Sequence, residues 1–309
     1  MKDTLYSIVV PVYKSSKSLV GLAMRMKNTF LKIKNADYEL IFINDSPFEA
    51  KTVSILQQLS AEDENVLVIE LARNFGQQAA TLCGVECARG DYIITMDDDL
   101  QHAPEDIIHL IKKQNHDVVM AKFKVVKHSL FKRITSELKS YVEYKVLNKP
   151  RSLKLSSFRL FKASIAKNMF LRKTPFPFIP AILFSLTIDI VNVEVEHHVR
   201  KHGVTNYTFG KMLQVFNNLL FNNSSILLRG VGYMGVAIAV VSLFLIVLVL
   251  YKKQVLGIEV EGWTSIMLAI LFFGGTVLFS LGIIGEYLIR IIATTESRPV
   301  YIVKNKSKT

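Results

Sequence analysis

The sequence predicts an α/β domain built on a mostly parallel sheet and followed by two transmembrane helices. Three observations carry this. Short apolar runs alternate with amphipathic stretches through residues 1–122, two long charge-free runs fill the last third, and three consecutive aspartates close one of the apolar runs.

Taken in order, "LYSIVVPV" reads as a strand, residues 17–34 as an amphipathic helix and "YELIFIND" as a second strand. Residues 48–60 read as a helix, "NVLVIEL" as a strand and 77–89 as a helix. Then come the strand "DYIITMD", a helix over 104–115 and the strand "DVVMAKF". Strict strand–helix alternation is the pattern of a parallel sheet covered on both faces, whose ligands sit at the carboxyl ends of the strands. Asp45 falls at the end of the second strand, and Asp97, Asp98 and Asp99 at the end of the fourth.

Crowded carboxylates repel and need a counter-charge to stay ionised. A divalent metal, a Lys/Arg cluster or open water could supply it. The first strand is followed by "VPVYKSSKS", with neither GxGxxG nor GxxxxGK, so no glycine-rich loop is available to cradle phosphates. A diphosphate bound here needs another counter-ion. A hard divalent cation held by one or two carboxylates and the phosphate oxygens meets that need. Pro104 and Glu105 are ordinary helix-start residues.

Residues 231–250 and 263–285 carry no charge, and each is long enough to cross about 30 Å of hydrocarbon as a helix. The opening apolar run is short and broken by Pro11, which predicts neither a signal peptide nor an anchor. The large N-terminal part is therefore expected in the cytoplasm. Arg290, Arg298, Lys304, Lys306 and Lys308 place the tail on the same side, with 251–262 as a short external loop.

The formal net charge is +12, and it is concentrated: residues 122–173 hold fifteen Lys or Arg against Glu137 and Glu143. Just before membrane helices, such a segment is expected to meet anionic lipids. No nucleic-acid motif accompanies it, so nucleic acid is not an expected partner. Cys83 and Cys87 lack the further ligands of a zinc site and read as packing residues. His102, His109 and His116 recur every seven residues, two turns apart and too far for chelation, and read as one exposed or half-buried face.

The segments "SIVVPVYKSS", "YELIFINDS" and "ARNFGQQAATLCGVECARGDYIITMDDDLQHAPE", with the two C-terminal apolar helices, resemble family 2 glycosyltransferases of the polyprenyl-phosphate type. That group includes bactoprenol glucosyltransferases and dolichol-phosphate mannose synthases. The resemblance implies a GT-A fold that moves a sugar from a nucleotide-diphosphate sugar, with UDP favoured, to a lipid phosphate such as undecaprenyl phosphate, inverting the anomeric carbon.

Carried over by residue, the family's DxD metal motif matches Asp97 and Asp99, with Asp98 between them and Gln101 following, and implies Mg²⁺ or Mn²⁺. Pro11 and Tyr13 match the nucleotide-lining end of strand one. Asp45 matches the base- or ribose-binding acid, although Asn44 replaces its neighbouring aspartate and Ser46-Pro47 its glycine-serine. Arg73, Asn74 and Gly76 match a nucleotide-side loop, with helix-entry packing as the alternative. Before "FRL", where many relatives carry an acidic residue proposed as catalytic base, this chain has Ser156 and Ser157. Arg159 is expected either to steer phosphate or to make a structural ion pair. "RKHGVTNYTFGKML" matches a further segment through Arg200, Gly203, Thr205 and Tyr207, with Asn206 in place of a lysine, and Arg200 is expected to contact a phosphate.

The resulting division is a nucleotide-sugar half over 1–122, an acceptor-side half with the basic segment over 123–206, an interfacial helix over 207–225, two membrane helices over 226–292 and a basic tail over 293–309. Relatives point to a homo-tetramer, and Gly274, Gly275, Gly282 and Gly285 permit close helix contacts. A processive polysaccharide synthase is disfavoured because its QxxRW motif is absent, Trp263 being an interfacial anchor. A hydroxyl acceptor and a non-catalytic scaffold are the remaining alternatives.

Overall fold

In a computed structural model, the described residues are 3–123, 143–147, 149–171, 177–196, 262–296 and 299–307, with scattered helical positions between 230 and 251. The chain divides into two units, residues 1–208 with 297–309, and residues 209–296.

The first unit is built on an eight-stranded sheet. The strands are β1 (Thr4–Val12), β2 (Ala36–Asn44), β3 (Val66–Leu71), β4 (Tyr92–Thr95), β5 (Val118–Phe123), β6 (Arg159–Lys162), β7 (Ile190–Val195) and β8 (Val303–Lys306). Their order is β7-β5-β6-β4-β1-β2-β3-β8. The pairs β1–β2, β1–β4, β2–β3 and β5–β7 are parallel, while β6 and β8 run antiparallel to their neighbours. The expected mostly parallel sheet is present, and the carboxyl ends of six strands share one edge.

Helices cover both faces, because alternate side chains of a strand point to opposite sides. Ile8, Val10 and Val12 of β1 pack with Leu22 and Met26 of α1 (Leu19–Phe30), Leu56 of α2 (Ala50–Glu62) and Leu110 of α4 (Ile107–Ile111). Val9 of the same strand faces the other way. It packs with Ala80 and Cys83 of α3 (Gln77–Cys87), Ile165 of α5 (Ala163–Met169) and Leu183 of α6 (Ile179–Leu186). Cys83 is thus a core residue, as its spacing predicts. The helix expected over 104–115 is shorter, a single 3₁₀ turn at Pro104–Asp106 leading into α4.

The second unit contains α7 (Trp263–Thr295), of which Phe272–Thr295 is the one described helix long and apolar enough to cross a membrane. Ile270, Phe272, Leu278 and Ile289 are all exposed, so apolar surface runs around the helix rather than along one stripe. It continues past the expected end at 285, and Glu286 and Arg290, one turn apart, neutralise each other at 2.6 Å. The other expected membrane helix, over 231–250, is helical at its described positions and otherwise lies outside the described residues, as do residues 207–225 and, within the basic segment, residues 124–142.

Candidate active site

Five chain segments meet at the carboxyl edge of the sheet, and backbone hydrogen bonds set them. Asp45 N–H donates to Val12 O at 2.9 Å, and Met96 N–H to Val9 O at 3.2 Å, extending the sheet just beyond its strands. Lys14, in a left-handed conformation at φ 51°, turns the chain after β1 and donates its N–H to Ser46 Oγ. This leaves Tyr13 projecting, 45% exposed, with the Lys14 ammonium over its ring. Pro11 sits one pair before the end of β1, opposite Ile43.

Asp45 is buried, and its carboxylate is committed to the loop after β3. It accepts from Phe75 N–H at 2.7 Å, Gly76 N–H at 2.9 Å and the Asn74 amide at 2.9 Å. Burial pushes its pKa up, and the two backbone donors pull it back. Gly76, at φ 89°, is the N-cap of α3, so the Asp45 carboxylate also faces the positive end of that helix. The side chain expected to read a base or ribose is the brace that shapes the loop. Arg73 lies on the outer side of this loop, its guanidinium stacked on Phe75 at 4.5 Å.

Residues 97–102 form a tight turn. Leu100 takes φ 61°, a conformation that a branched residue adopts at a cost of about 1–3 kcal/mol. Two bonds hold it there: Gln101 N–H donates to Asp99 Oδ1 at 3.0 Å, and Asp97 N–H donates to His102 Nδ1 at 3.0 Å. His102 is buried between Phe123 and Phe158, with ring centroids 5.4 and 5.2 Å away. Its Nδ1 must be the acceptor, which fixes the tautomer whenever the ring is neutral. The heptad reading of the histidines fails here: His102 supports the aspartate turn, while His116 pairs with Asp189 at 2.6 Å, away from the site.

The three aspartates differ. Asp97 accepts from the Gln77 amide at 2.6 Å on one oxygen and from Ser157 Oγ at 2.8 Å on the other. Asp98 turns inward: burial first, then the Asp97 charge, push its pKa up to about 7, against donors on Tyr13 N–H and Ser15. One Asp98 oxygen is buried without a hydrogen-bond partner.

Arg159 does not reach outward as a phosphate-steering residue would. It opens β6 opposite Thr95 of β4, is 2% exposed and donates Nε–H to Thr95 Oγ1 at 3.1 Å. Burial lowers its pKa to about 10, and the Asp97 charge acts in the opposite direction. The structure makes it the fixed positive charge behind the aspartate turn, and its Nη1 is buried with no hydrogen-bond partner. Arg200 lies outside the described residues.

Among the described residues no three His, Cys, Asp or Glu side chains form a ready-made metal cage. Hard cations such as Mg²⁺ are commonly held by one or two carboxylates with substrate phosphates and water completing the shell. Asp97 and Asp99, with the orphaned Asp98 oxygen behind them, fit that kind of donor set.

The glycosyl transferase family 2 model matches residues 7–170, which run from within β1 through β6 and include all five segments that meet at this edge. The chain belongs to glycosyl transferase family 2. It is a glycosyltransferase with a GT-A-like fold. The bactoprenol glucosyl transferase of Shigella phage SfV is 30% identical to it over 98% of this chain and 99% of that protein. The undecaprenyl-phosphate 4-deoxy-4-formamido-L-arabinose transferase of Photorhabdus laumondii is 29% identical, over 96% and 93%. Among solved structures, this family 2 chain resembles glucosyl-3-phosphoglycerate synthase from Mycobacterium tuberculosis in complex with Mn²⁺, UDP and glucosyl-3-phosphoglycerate. The TM-score is 0.50 at 14% identity, over 70% of this chain and 79% of that one, a likeness of fold.

Proposed function

We propose that this glycosyltransferase moves a sugar from a nucleoside-diphosphate sugar, with UDP the favoured carrier, to a polyprenyl phosphate at the cytoplasmic membrane face, with inversion. The observation that carries this is Ser157. Where the resemblance places an acidic residue in many relatives, a hydroxyl donates to Asp97 instead. A sugar hydroxyl acceptor needs a general base, whereas a phosphate monoester, with its second pKa near ~6, is already a nucleophilic anion at neutral pH. The names of two relatives matched over nearly their whole length support the same acceptor.

In this reading Tyr13 offers its exposed ring to the nucleotide, and the loop braced by Asp45 borders it. Asp97 and Asp99 would hold Mg²⁺ or Mn²⁺, which supplies positive charge to the departing diphosphate. Gln77 and Ser157 fix the Asp97 carboxylate, Arg159 balances its charge from behind, and Arg200 is assigned to a phosphate. The acceptor oxygen then displaces the diphosphate in line.

Membrane placement rests on α7 and on the tail. Strand β8 follows α7 in the chain yet belongs to the same sheet as β1. A chain that crosses the bilayer through α7 and returns to that sheet crosses an even number of times, which supports two membrane helices. The basic segment is assigned to anionic lipids, and a tetramer to the intact protein.

The test is transfer of radiolabelled sugar from UDP- and GDP-sugars into undecaprenyl phosphate by the full-length protein, with Mn²⁺ or EDTA, beside Asp99→Ala. Label in the organic phase that EDTA and the substitution both abolish is the expected result. Donor turnover without lipid label sinks the acceptor assignment in favour of a hydroxyl acceptor.

A further inference from the structure

The segment after α7 was expected as a basic tail over 293–309, with no part in the sheet assigned to it. Its residues 303–306 form β8, the strand next to β3, which leads into the 73–76 loop. Val300 and Tyr301 pack against the same core layer as Phe75, and Ala72 N–H donates to Ile302 O at 2.8 Å. Val303 then pairs with Leu71 and Asn305 with Glu70, which leaves Lys304 as the extra residue of a bulge. Its ammonium folds back onto the Glu70 carboxylate at 2.7 Å. Ser307 pins the far end: its Oγ accepts from Val68 N–H at 3.0 Å and bonds to Ser60 Oγ at 2.8 Å.

Ala72 is the last residue before the 73–76 loop, and this loop is where the tail's contacts become relevant to chemistry. The loop's N–H groups are those that the Asp45 carboxylate accepts, and Gln77, the residue after it, grips Asp97. The bulge bends β8, the strand that carries the extra residue, and beyond it the tail still accepts the Ala72 N–H through Ile302 O, at the mouth of the loop. The exposed side chains of β8 gain little from burial, so the strand's contribution is chiefly the geometry it imposes on β3.

We propose that residues 300–307 are a positioning element of the glycosyltransferase site, holding the 72–77 segment so that Asp45 and Asp97 keep their spacing for the donor. This rests on the reading that the 73–76 loop borders the nucleotide. Tyr301, Ile302, Lys304 and Ser307 act through the loop and touch no reacting atom.

The experiment uses the full-length protein in detergent. Binding of UDP and of GDP, each with Mn²⁺, is measured by calorimetry for wild type, Lys304→Glu, Ser307→Ala and the charge-swapped Glu70→Lys/Lys304→Glu. Amide exchange at Phe75 and Gly76 is followed in parallel. Lys304→Glu is expected to weaken nucleotide binding about fivefold and to speed exchange at these two amides, with the unfolding midpoint nearly unchanged; the swap restores both. Ser307→Ala is expected to act in the same direction. Unchanged affinity despite faster exchange overturns the proposal, as does a loss of affinity that comes only with global unfolding. A wild type that binds neither nucleotide overturns the donor reading, and the positioning role with it.

Discussion

Ser157 Oγ donates a hydrogen bond to Asp97 Oδ2 at 2.8 Å, joining the start of β6 to the aspartate turn after β4. The bond orients a carboxylate; it does not prepare a base, since the hydroxyl proton is already engaged and the acceptor is the more acidic group. Ser157→Ala should therefore lower kcat/KM by less than about tenfold and leave the pH profile unchanged. Loss of a general base would cost about 100- to 10,000-fold. Steady-state kinetics over pH 6–9 separates the two, and a large loss would restore Ser157 as a participant in proton transfer.

Arg159 is a buried cation whose charge is set against Asp97. Arg159→Met should destabilise the domain by about 3 kcal/mol, because it leaves the acidic turn without its internal counter-charge. Arg159→Lys should not rescue it, since a compact ammonium cannot reproduce the planar guanidinium's bond to Thr95. Chemical denaturation measures both. If stability holds and only the acceptor KM rises, Arg159 contacts the acceptor phosphate after all.

The strands β1 to β5 were legible because each is an apolar run between turn residues, and the carboxyl-edge position of Asp45 and of the aspartate cluster followed from the alternation alone. Strands β6 and β8 were not. "RLFK" is four residues inside a basic stretch, and "VKNK" has no buried position, so neither bears a periodic signal; both exist through their partners β4, β5 and β3. Arg159 was open between two roles because a single arginine in sequence does not reveal which side of a strand it occupies. His102 was misread through a spacing of seven shared with two unrelated histidines. Its place directly after "DDDLQ" was the better signal, but Phe123 and Phe158, which sandwich it, are distant in sequence.

Asp98 gives the site a pH dependence whose sign can be worked out. Its pKa is about 7 in the fold and near the ordinary 3.8 when unfolded. Below the unfolded value both states are protonated and nothing is lost. As pH rises from there through 7, the unfolded chain gives up its proton while the fold retains it, so folding stability declines by a few kcal/mol at most, on the order set by ~1.4 kcal/mol per pH unit. In EDTA, thermal midpoints should fall between pH 5 and 8, and Asp98→Asn should flatten that decline. A wild-type midpoint constant across this range would show that Asp98 is ionised in the fold.

Helix α3 presents Gln77 to Asp97, and its seat on the sheet depends on Gly84. A Cβ there would lie 2.3 Å from Val9 Cγ1 and 3.1 Å from Ile43 Cγ1. Gly84→Ala should cost about 1–3 kcal/mol and lower activity through the displaced Gln77. The clash is with the end of one side chain, so Val9→Ala should relieve part of it, and the double variant should be more stable than the sum of the two single losses. Gly90 offers the contrast. A Cβ there would lie 2.7 Å from both Ser7 N and Ser7 Oγ and 2.8 Å from Leu5 O, so two of the three contacts are backbone atoms that no side-chain trimming removes. Gly90→Ala should therefore be at least as destabilising as Gly84→Ala, with less rescue by Ser7→Ala, which removes only the Oγ contact, than Val9→Ala gives at Gly84. A Gly84→Ala loss that Val9→Ala leaves wholly unrelieved in denaturation experiments would show that the approach of α3 to the sheet is not set by Val9.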